Sequence, residues 1–234
     1  MDCLTLEAGL TPDCVIADIG SGTGILSEKF LKNGNTVFGV EPNDEMRAAA
    51  ERLLHTHAAF KSIKGTAEDT TLAAGKVDMV VAGQAFHWFD RDACRAELAR
   101  ILKRDGWVAL VWNTRRTDTT PFLEEYEGFL RAFSIDYRQV DHRNVTAESL
   151  AQFFPVFRKR VFPNLQNFDY EGLKGRLLSS SYAPLEGHPN FEPMLRELGR
   201  IFAEYQVGGL VQFLYDTELY FGQLAQSNGL PAEK

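Results

Sequence analysis

Two carboxylates and three alternating glycines are the residues of this chain best suited to hold a charged small ligand. Asp18 lies two positions before Gly20, and Gly20-Ser21-Gly22-Thr23-Gly24 places glycine at every second position. Glycine lets the backbone turn sharply and come within contact distance of a ligand. A helix start directly after such a turn leaves backbone N–H groups free to face an anionic group. Asp18 suits the opposite charge, because a carboxylate there takes a charged amine, directly or through water, and needs no phosphate. Glu41 follows Gly20 by 21 positions. That spacing sets a carboxylate at the end of the neighbouring strand, where it can accept hydrogen bonds from both hydroxyls of a ribose. Its other use is as a charge at a helix N-terminus, favoured by the dipole.

A second group is Gln84-Ala85-Phe86-His87-Trp88-Phe89-Asp90, three aromatics and a histidine in a loop. Such a loop is costly to leave in water and must pack on something. His87 is suited to act as a base or as a hydrogen-bond donor, and equally to orient the aromatics by packing. Trp88 offers a flat wall to a substrate. Arg115 and Arg116 could clamp an acidic molecule bidentately, although as loop charges they need no explanation. Asn113 and Tyr182 complete the residues expected at a substrate.

The elements that would position these groups read as alternating strands and helices. Val15 to Ile19 is short, apolar and rich in β-branched residues, a buried strand; Ile25 to Leu31 has a helical pattern. Thr36 to Glu41 is a second strand, and Pro42-Asn43-Asp44 starts a helix with Met46, Ala49, Ala50, Leu53 and Leu54 on its apolar side. Phe60 to Gly65 is a weak third strand, Val77 to Ala82 a fourth, Arg91 to Leu102 a helix. Lys103 to Gly106 reads as a turn into a fifth strand, Trp107 to Asn113. From 114 the alternation breaks: helices are expected at Pro121 to Phe133, Ala147 to Phe154 and Glu171 to Leu178, with extended chain from Val156 to Tyr170. Pro193 to Tyr205 is the last long helix, and Gly208–Tyr215 with Thr217–Phe221 a terminal strand pair.

Two ligand classes fit the glycine loop. A dinucleotide requires G-x-G-x-x-G or a final Ala, but Ile25 occupies that place and would hold helix and strand apart. Asp18-Ile19-Gly20-Ser21-Gly22-Thr23-Gly24 instead resembles the nucleotide-loop motif of class I S-adenosylmethionine-dependent methyltransferases. Gln84-Ala85-Phe86-His87-Trp88 is similar to the loop after the fourth strand in methyltransferase type 11, the trans-aconitate methyltransferase-like branch. It does not resemble the Asn/Asp-Pro-Pro-aromatic motif of enzymes that methylate nucleobases or protein amides. The resemblance extends to Ser179-Ser180-Ser181-Tyr182 and Tyr215-Asp216-Thr217-Glu218-Leu219-Tyr220. It implies an α/β, Rossmann-like, seven-stranded and mostly parallel sheet with an antiparallel last strand. The cofactor implied is S-adenosyl-L-methionine. Its expected contacts are Asp18, Gly20, Ser21, Gly22, Thr23, Gly24, Glu41, Pro42, Met46, Ala67, Glu68, Gln84, Ala85 and Phe86. Glu68 would hold the adenine amino group with Ala67 supplying backbone contacts, and Met46 would touch the adenine unless it is core. The reaction implied is in-line methyl transfer to an O (carboxylate or hydroxyl) or N acceptor on a small molecule. The other readings are a methyltransferase-like protein that binds the cofactor without catalysis, and a nicotinamide-dependent oxidoreductase.

The 234 residues suffice for one sizeable core with an inserted subdomain. The division expected is an α/β core at 1–113 and 193–234, with a substrate cap at 114–192. Nine of the 17 Phe lie in that cap, enough for a small apolar core of its own. A formal net charge of -7 argues against a nucleic-acid surface. No apolar run approaches the ~20 residues that span a bilayer, and Met1 to Thr5 has no basic region followed by an apolar run. Cys3, Cys14 and Cys94 are odd in number and fit no metal or redox spacing, so reduced thiols in a cytoplasm are the simplest reading. The scattered histidines suggest no metal site. A monomer or homodimer is expected.

Overall fold

Strand-forming runs and helix signals alternate through the first half of the chain, and the elements follow that order. The computed structural model describes residues 1–135, 137, 147–180 and 182–224. The elements are α1 (Asp2–Ala8), β1 (Val15–Ile19), α2 (Ile25–Lys32), β2 (Thr36–Val40), α3 (Asp44–Leu53), β3 (Phe60–Ile63) and β4 (Val77–Gly83). A single 3-10 turn, Phe86–Trp88, precedes α4 (Arg91–Ile101) and β5 (Leu102–Arg115). Then come α5 (Pro121–Phe133), α6 (Ala147–Phe153), β6 (Val156–Phe168), α7 (Tyr170–Leu178), α8 (Phe191–Tyr205) and β7 (Val211–Gln223).

The seven strands form one sheet in the order β3-β2-β1-β4-β5-β7-β6, mostly parallel with the last strand antiparallel. β1 pairs in parallel with β2, setting Asp18 opposite Gly39, and with β4, setting Asp18 opposite Val81. The strand order therefore reverses at β1, the switch point at which ligands of open α/β sheets bind beyond the carboxyl ends.

By contacts the chain divides into two units. The first comprises 1–112, 145–160 and 218–234; the second comprises 113–144 and 161–217. The second unit shares 114–144 and 161–192 with the insertion expected from the sequence and adds Asn113 and 193–217. In the first unit β1, β2 and β4 are largely buried on both faces, as parallel strands are. Ala17, Ile19, Val80 and Val108 pack with Leu98 and Ile101 of α4 and Phe153 of α6. Ile16, Val37, Met79 and Ala109 pack with Leu4 of α1 and Phe30 and Leu31 of α2. In the second unit Leu123, Tyr126 and Leu130 of α5 meet Leu173 and Leu177 of α7, Leu198 and Ile201 of α8, and Phe213.

Four expectations need correction. The turn at Lys103 to Gly106 is an irregularity inside one strand: Val77 pairs with Leu102 and Met79 with Trp107, so β5 carries extra residues between the two pairs. The terminal strand pair is one strand, because no turn-forming glycine or proline interrupts Val211 to Gln223 before Gly222; the turn precedes it, where Gly208 and Gly209 both have positive φ. The apolar side of α3 is narrower than its pattern, with only Ala50 and the following Leu54 buried while Met46 and Leu53 are exposed. Extended chain ends at Phe168, and Tyr170 opens α7.

Candidate functional site

The site of the first unit is built on the end of β1. Residues 16 and 18 share one pleat direction in a strand, which turns Asp18 to the side covered by α2. There Ser27, on the first turn of α2, donates its hydroxyl to Asp18 Oδ2 at 2.6 Å. Asp18 is 1% exposed, and its Oδ1 is buried with no hydrogen-bond partner among the described residues. Burial pushes the carboxyl pKa up to about 6, with the Glu41 charge adding to it and the Ser27 hydrogen bonds opposing. A buried carboxylate oxygen without a donor suits a ligand that brings one, above all a cation.

The glycine loop runs past this carboxylate, held by its own backbone. Gly20 and Ser21 both donate N–H to Val40 O, at 2.9 and 3.1 Å. Gly20 has φ +67, and a Cβ there would stand 2.6 Å from Cβ of Ala85, so only glycine lets the two loops approach. Gly22 has φ +55, yet a Cβ on it would meet nothing within 4 Å. Packing does not require glycine at 22; a left-handed turn beside open space does. Glu41, just beyond β2, is buried and accepts N–H of Gly22 on Oε2 and N–H of Asn43 on Oε1, each at 2.9 Å. It is tied to the start of α3 as well as to the glycine loop, since Asn43 caps that helix by accepting from Glu45 and Met46. A carboxylate has about four acceptor positions, so two donors leave room for others.

The loop after β4 forms the other wall. Gln84 holds a left-handed φ of 57, unusual for a non-glycine residue, and donates N–H to Val111 O at 2.9 Å. The 3-10 turn then sends its residues in different directions. Phe86 is wholly buried, edge-on to Phe89, Trp112 and Phe153; its ring serves the core. His87 is half-buried with its ring 4.8 Å from that of Trp88, and Trp88 is 78% exposed. Glu68 accepts N–H of Asp90 at 2.9 Å and so joins the loop after β3 to the start of α4, while Ala67 is buried beside it. Ser21 and Thr23 are partly accessible and Pro42 is exposed, and Met46, at 47% exposed, is not core. Ile25 is 74% exposed; it does not hold helix and strand apart, which corrects the steric argument made against a dinucleotide.

The remaining expected residues belong to the second unit. Asn113 Oδ1 accepts from Thr217 Oγ1 at 2.6 Å and Asn164 Nδ2 at 3.3 Å. Arg116 forks onto Asp216, at 2.6 and 3.1 Å to Oδ1, and is half-exposed. Arg115 is largely buried, with Nη2 donating to Glu127 at 2.5 Å and to Tyr137 at 3.0 Å. The ring of Tyr182 stands edge-on to Tyr137, at 5.1 Å. The two arginines thus do not form one clamp. The sequence reading missed Ser27, whose only signal is a hydroxyl in the first turn of a helix that follows the glycine loop. Phe89, named there only as one of three loop aromatics, has its ring 3.6 Å from a Cβ placed on Gly20. Cys94 is wholly buried, and burial pushes its thiol up to about 12, which makes it inert. Among the described residues no three His, Cys, Asp or Glu side chains gather as a metal-ligand set, and no helix is long and apolar enough to cross a membrane.

Comparison with known proteins bears on this geometry. Residues 17–110 match the methyltransferase domain family of type 11, a span that runs from β1 into β5 and includes Asp18, the glycine loop, Glu41, Glu68 and the loop after β4. A methyltransferase of uncharacterised activity from Mycobacterium tuberculosis is 38% identical over 100 residues, 43% of this chain and 40% of that one. The match thus spans less than half the length of that relative. A methyltransferase-like protein of uncharacterised activity from Schizosaccharomyces pombe is 29% identical over 228 residues, 92% of this chain and 84% of that one. Among solved structures, a protein from Anaeromyxobacter dehalogenans described as a type II methyltransferase superposes with a TM-score of 0.68 at 22% identity, covering 95% of each chain.

Proposed function

This chain carries a class I methyltransferase domain at residues 17–110, and from that premise we propose that it uses S-adenosylmethionine to methylate a small molecule. The observations that carry the reading are the buried Oδ1 of Asp18, without a partner among the described residues, and the open space at Gly22. A ligand ammonium on Asp18 would satisfy a buried carboxylate oxygen that has no donor among the described residues. Glu41 would take ribose hydroxyls on its remaining acceptor positions. Ser21, Thr23 and the loop N–H groups would line the same ligand, with Pro42, Met46, Ala67, Glu68, Gln84, Ala85 and the Phe86 backbone around its base. When bound, S-adenosylmethionine supplies a methyl group on a sulfonium, open to in-line displacement.

What the chain itself must then do is align, shield and manage a proton. Trp88 presents a broad ring that can face a cation and keep water away. His87 either takes the acceptor's proton or positions an acceptor that has none to lose, such as a carboxylate. Three free cysteines agree with a reducing compartment such as the cytoplasm.

Calorimetry with S-adenosylmethionine on the wild type, Gly22→Val and Glu41→Ala tests the proposal. Gly22→Val should abolish binding, by filling the open space and straining a left-handed residue. Glu41→Ala should weaken it by roughly 1–3 kcal/mol. Unchanged affinity in both variants refutes the cofactor assignment. Binding without release of S-adenosylhomocysteine across a panel of small acids, alcohols and amines would leave a non-catalytic cofactor binder.

A further inference from the structure

Helix α2 starts without a capping side chain of its own. Its N-cap residue is Gly24, left-handed with φ 85, and glycine offers nothing to accept the N–H groups of the first turn. The acceptor comes from the sheet instead. Asp18 Oδ2 takes the Ser27 hydroxyl at 2.6 Å, and the backbone N–H of Ser27 also bonds to Asp18. Ser27 is the third residue of α2, so its N–H is one of the donors that a cap would otherwise serve. A carboxylate of β1 thus replaces the missing cap, and a helix start favours it charged.

Both side chains are buried, and among the described residues Ser27 is the one that hydrogen-bonds the Asp18 carboxylate. The sheet neighbours of Asp18, Gly39 of β2 and Val81 of β4, carry no charge. The charge that does act on it, among the described residues, is Glu41 at the end of β2, and it opposes ionisation. The two oxygens therefore differ in their surroundings. Oδ2 is committed to the first turn of α2, while Oδ1 has no donor among the described residues.

We infer that Ser27 is a positioning residue for the ligand: its hydroxyl holds Asp18 by Oδ2 in the ionised state and leaves Oδ1 as the acceptor for a ligand cation. The inference rests on the reading of Asp18 as the contact of a ligand ammonium, and adds the regulation of that contact. A hydroxyl at 2.6 Å stabilises the charged form of a buried carboxylate, against desolvation and against Glu41. Without it the carboxyl keeps its proton to higher pH, and a neutral acid offers an ammonium no charge. Ser27 therefore sets the acidity at which the site lets its ligand go.

Calorimetric titration of the full chain with S-adenosylhomocysteine, from about pH 5 to 8.5, tests this on wild type, Ser27→Ala and Ser27→Thr. Alanine is a strong helix former, so Ser27→Ala keeps α2 and removes the hydroxyl. Losing a hydrogen bond to a charged group should raise the pH midpoint of binding by about one unit. Affinity of Ser27→Ala should then lie about tenfold below wild type near pH 5 and match it near pH 8.5. Ser27→Thr keeps the hydroxyl and should follow the wild-type profile. With Asp18→Asn already in place, Ser27→Ala should weaken binding no further. Carbon-13 NMR titration of the Asp18 carboxyl without ligand, assigned by its loss in Asp18→Asn, should show the same shift of about one pH unit. That measurement separates the two readings. If S-adenosylhomocysteine binds no variant while the carboxyl midpoint still shifts, the cofactor reading falls and the hold of Ser27 on Asp18 stands. If it binds wild type and Ser27→Ala with one pH profile, this inference falls and the cofactor reading stands. Equal carboxyl midpoints, or an affinity loss in Ser27→Ala that is the same at both ends of the pH range, overturns the inference.

Discussion

Asp18→Asn separates what the buried carboxylate costs the fold from what it does for a ligand. Asp18 has a folded pKa of about 6 against 3.8 for the free group, and burial is the main cause. The folded protein therefore holds this proton more tightly than the unfolded chain, the reverse of a salt-bridged carboxylate. Stability from this group is fully present below pH 3.8 and is lost as pH rises through 6. The difference of about two pKa units corresponds to roughly 3 kcal/mol, most of it lost between about pH 4 and 7. Asparagine does not titrate, but its amide N–H groups meet the same surroundings, poor in partners, and cost about 1–3 kcal/mol. Asp18→Asn should accordingly be the less stable protein at about pH 4 and equal or exceed wild type at about pH 7 and above. Urea unfolding of both proteins in steps from about pH 4 to 8 measures this, and other titrating groups cancel in the difference. In parallel, calorimetry should show S-adenosylhomocysteine binding to wild type weakening below about pH 6, by up to about tenfold per pH unit, because the ligand ammonium needs the ionised carboxylate. Asp18→Asn should bind weakly at every pH. Parallel stability curves for the two proteins would refute the burial argument. Unchanged ligand affinity in Asp18→Asn would refute the ammonium contact.

Three further outcomes follow from other parts of the first unit. Gly20→Ala should destabilise by several kcal/mol in thermal melts, since its Cβ would stand 2.6 Å from Ala85 in a left-handed backbone; a wild-type melting temperature would refute that packing. His87→Ala should lower turnover while leaving S-adenosylhomocysteine affinity nearly intact, and if His87 is a base, wild-type turnover should fall below the imidazole pKa. A flat pH profile with slow His87→Ala would make it a positioner, whereas normal turnover with a lower melting temperature would leave it a packing residue. Glu97 is held down to about 2, chiefly by Arg100 and also by the Thr70 hydrogen bonds. Its stabilisation is present above pH 4.5 and lost as pH falls through about 2, so Glu97→Gln should flatten the acid limb of the stability curve. An unaltered acid limb counts against this network.

Much of the first unit was readable because its signals are local. A β-branched run, a glycine turn and a carboxylate at fixed spacing prescribe strand, loop and second strand, and Asp18, Gly22 and Glu41 are neighbours for that reason. The aromatic loop was readable in density alone. A 3-10 turn of three residues sends Phe86 into the core and Trp88 into water, and no periodicity in so short a stretch marks which is which. Arg115 and Arg116 were read as a pair because they are adjacent. At the end of an extended strand adjacent side chains point to opposite sides, which is why one finds Glu127 and the other Asp216. β6 is an edge strand exposed along most of its length, so it carries no alternation of burial by which its limits could be read. Phe213 and Tyr215, whose rings face Arg176, lie in β7, distant from it in sequence, and leave no local signal.

Glu41 has a consequence for the speed of encounter. By accepting the N–H of Gly22 it holds the glycine loop in shape with protein groups alone. A loop already folded has little conformational entropy left to lose when a ligand docks. Arrival of the nucleoside then exchanges hydrogen bonds instead of building a loop, so association should run at the ordinary docking rate of about 10⁵–10⁷ M⁻¹s⁻¹ with no slow closing phase from this segment. Differences in affinity among loop variants that still fold would accordingly lie in how long the ligand stays, and hardly at all in how quickly it arrives.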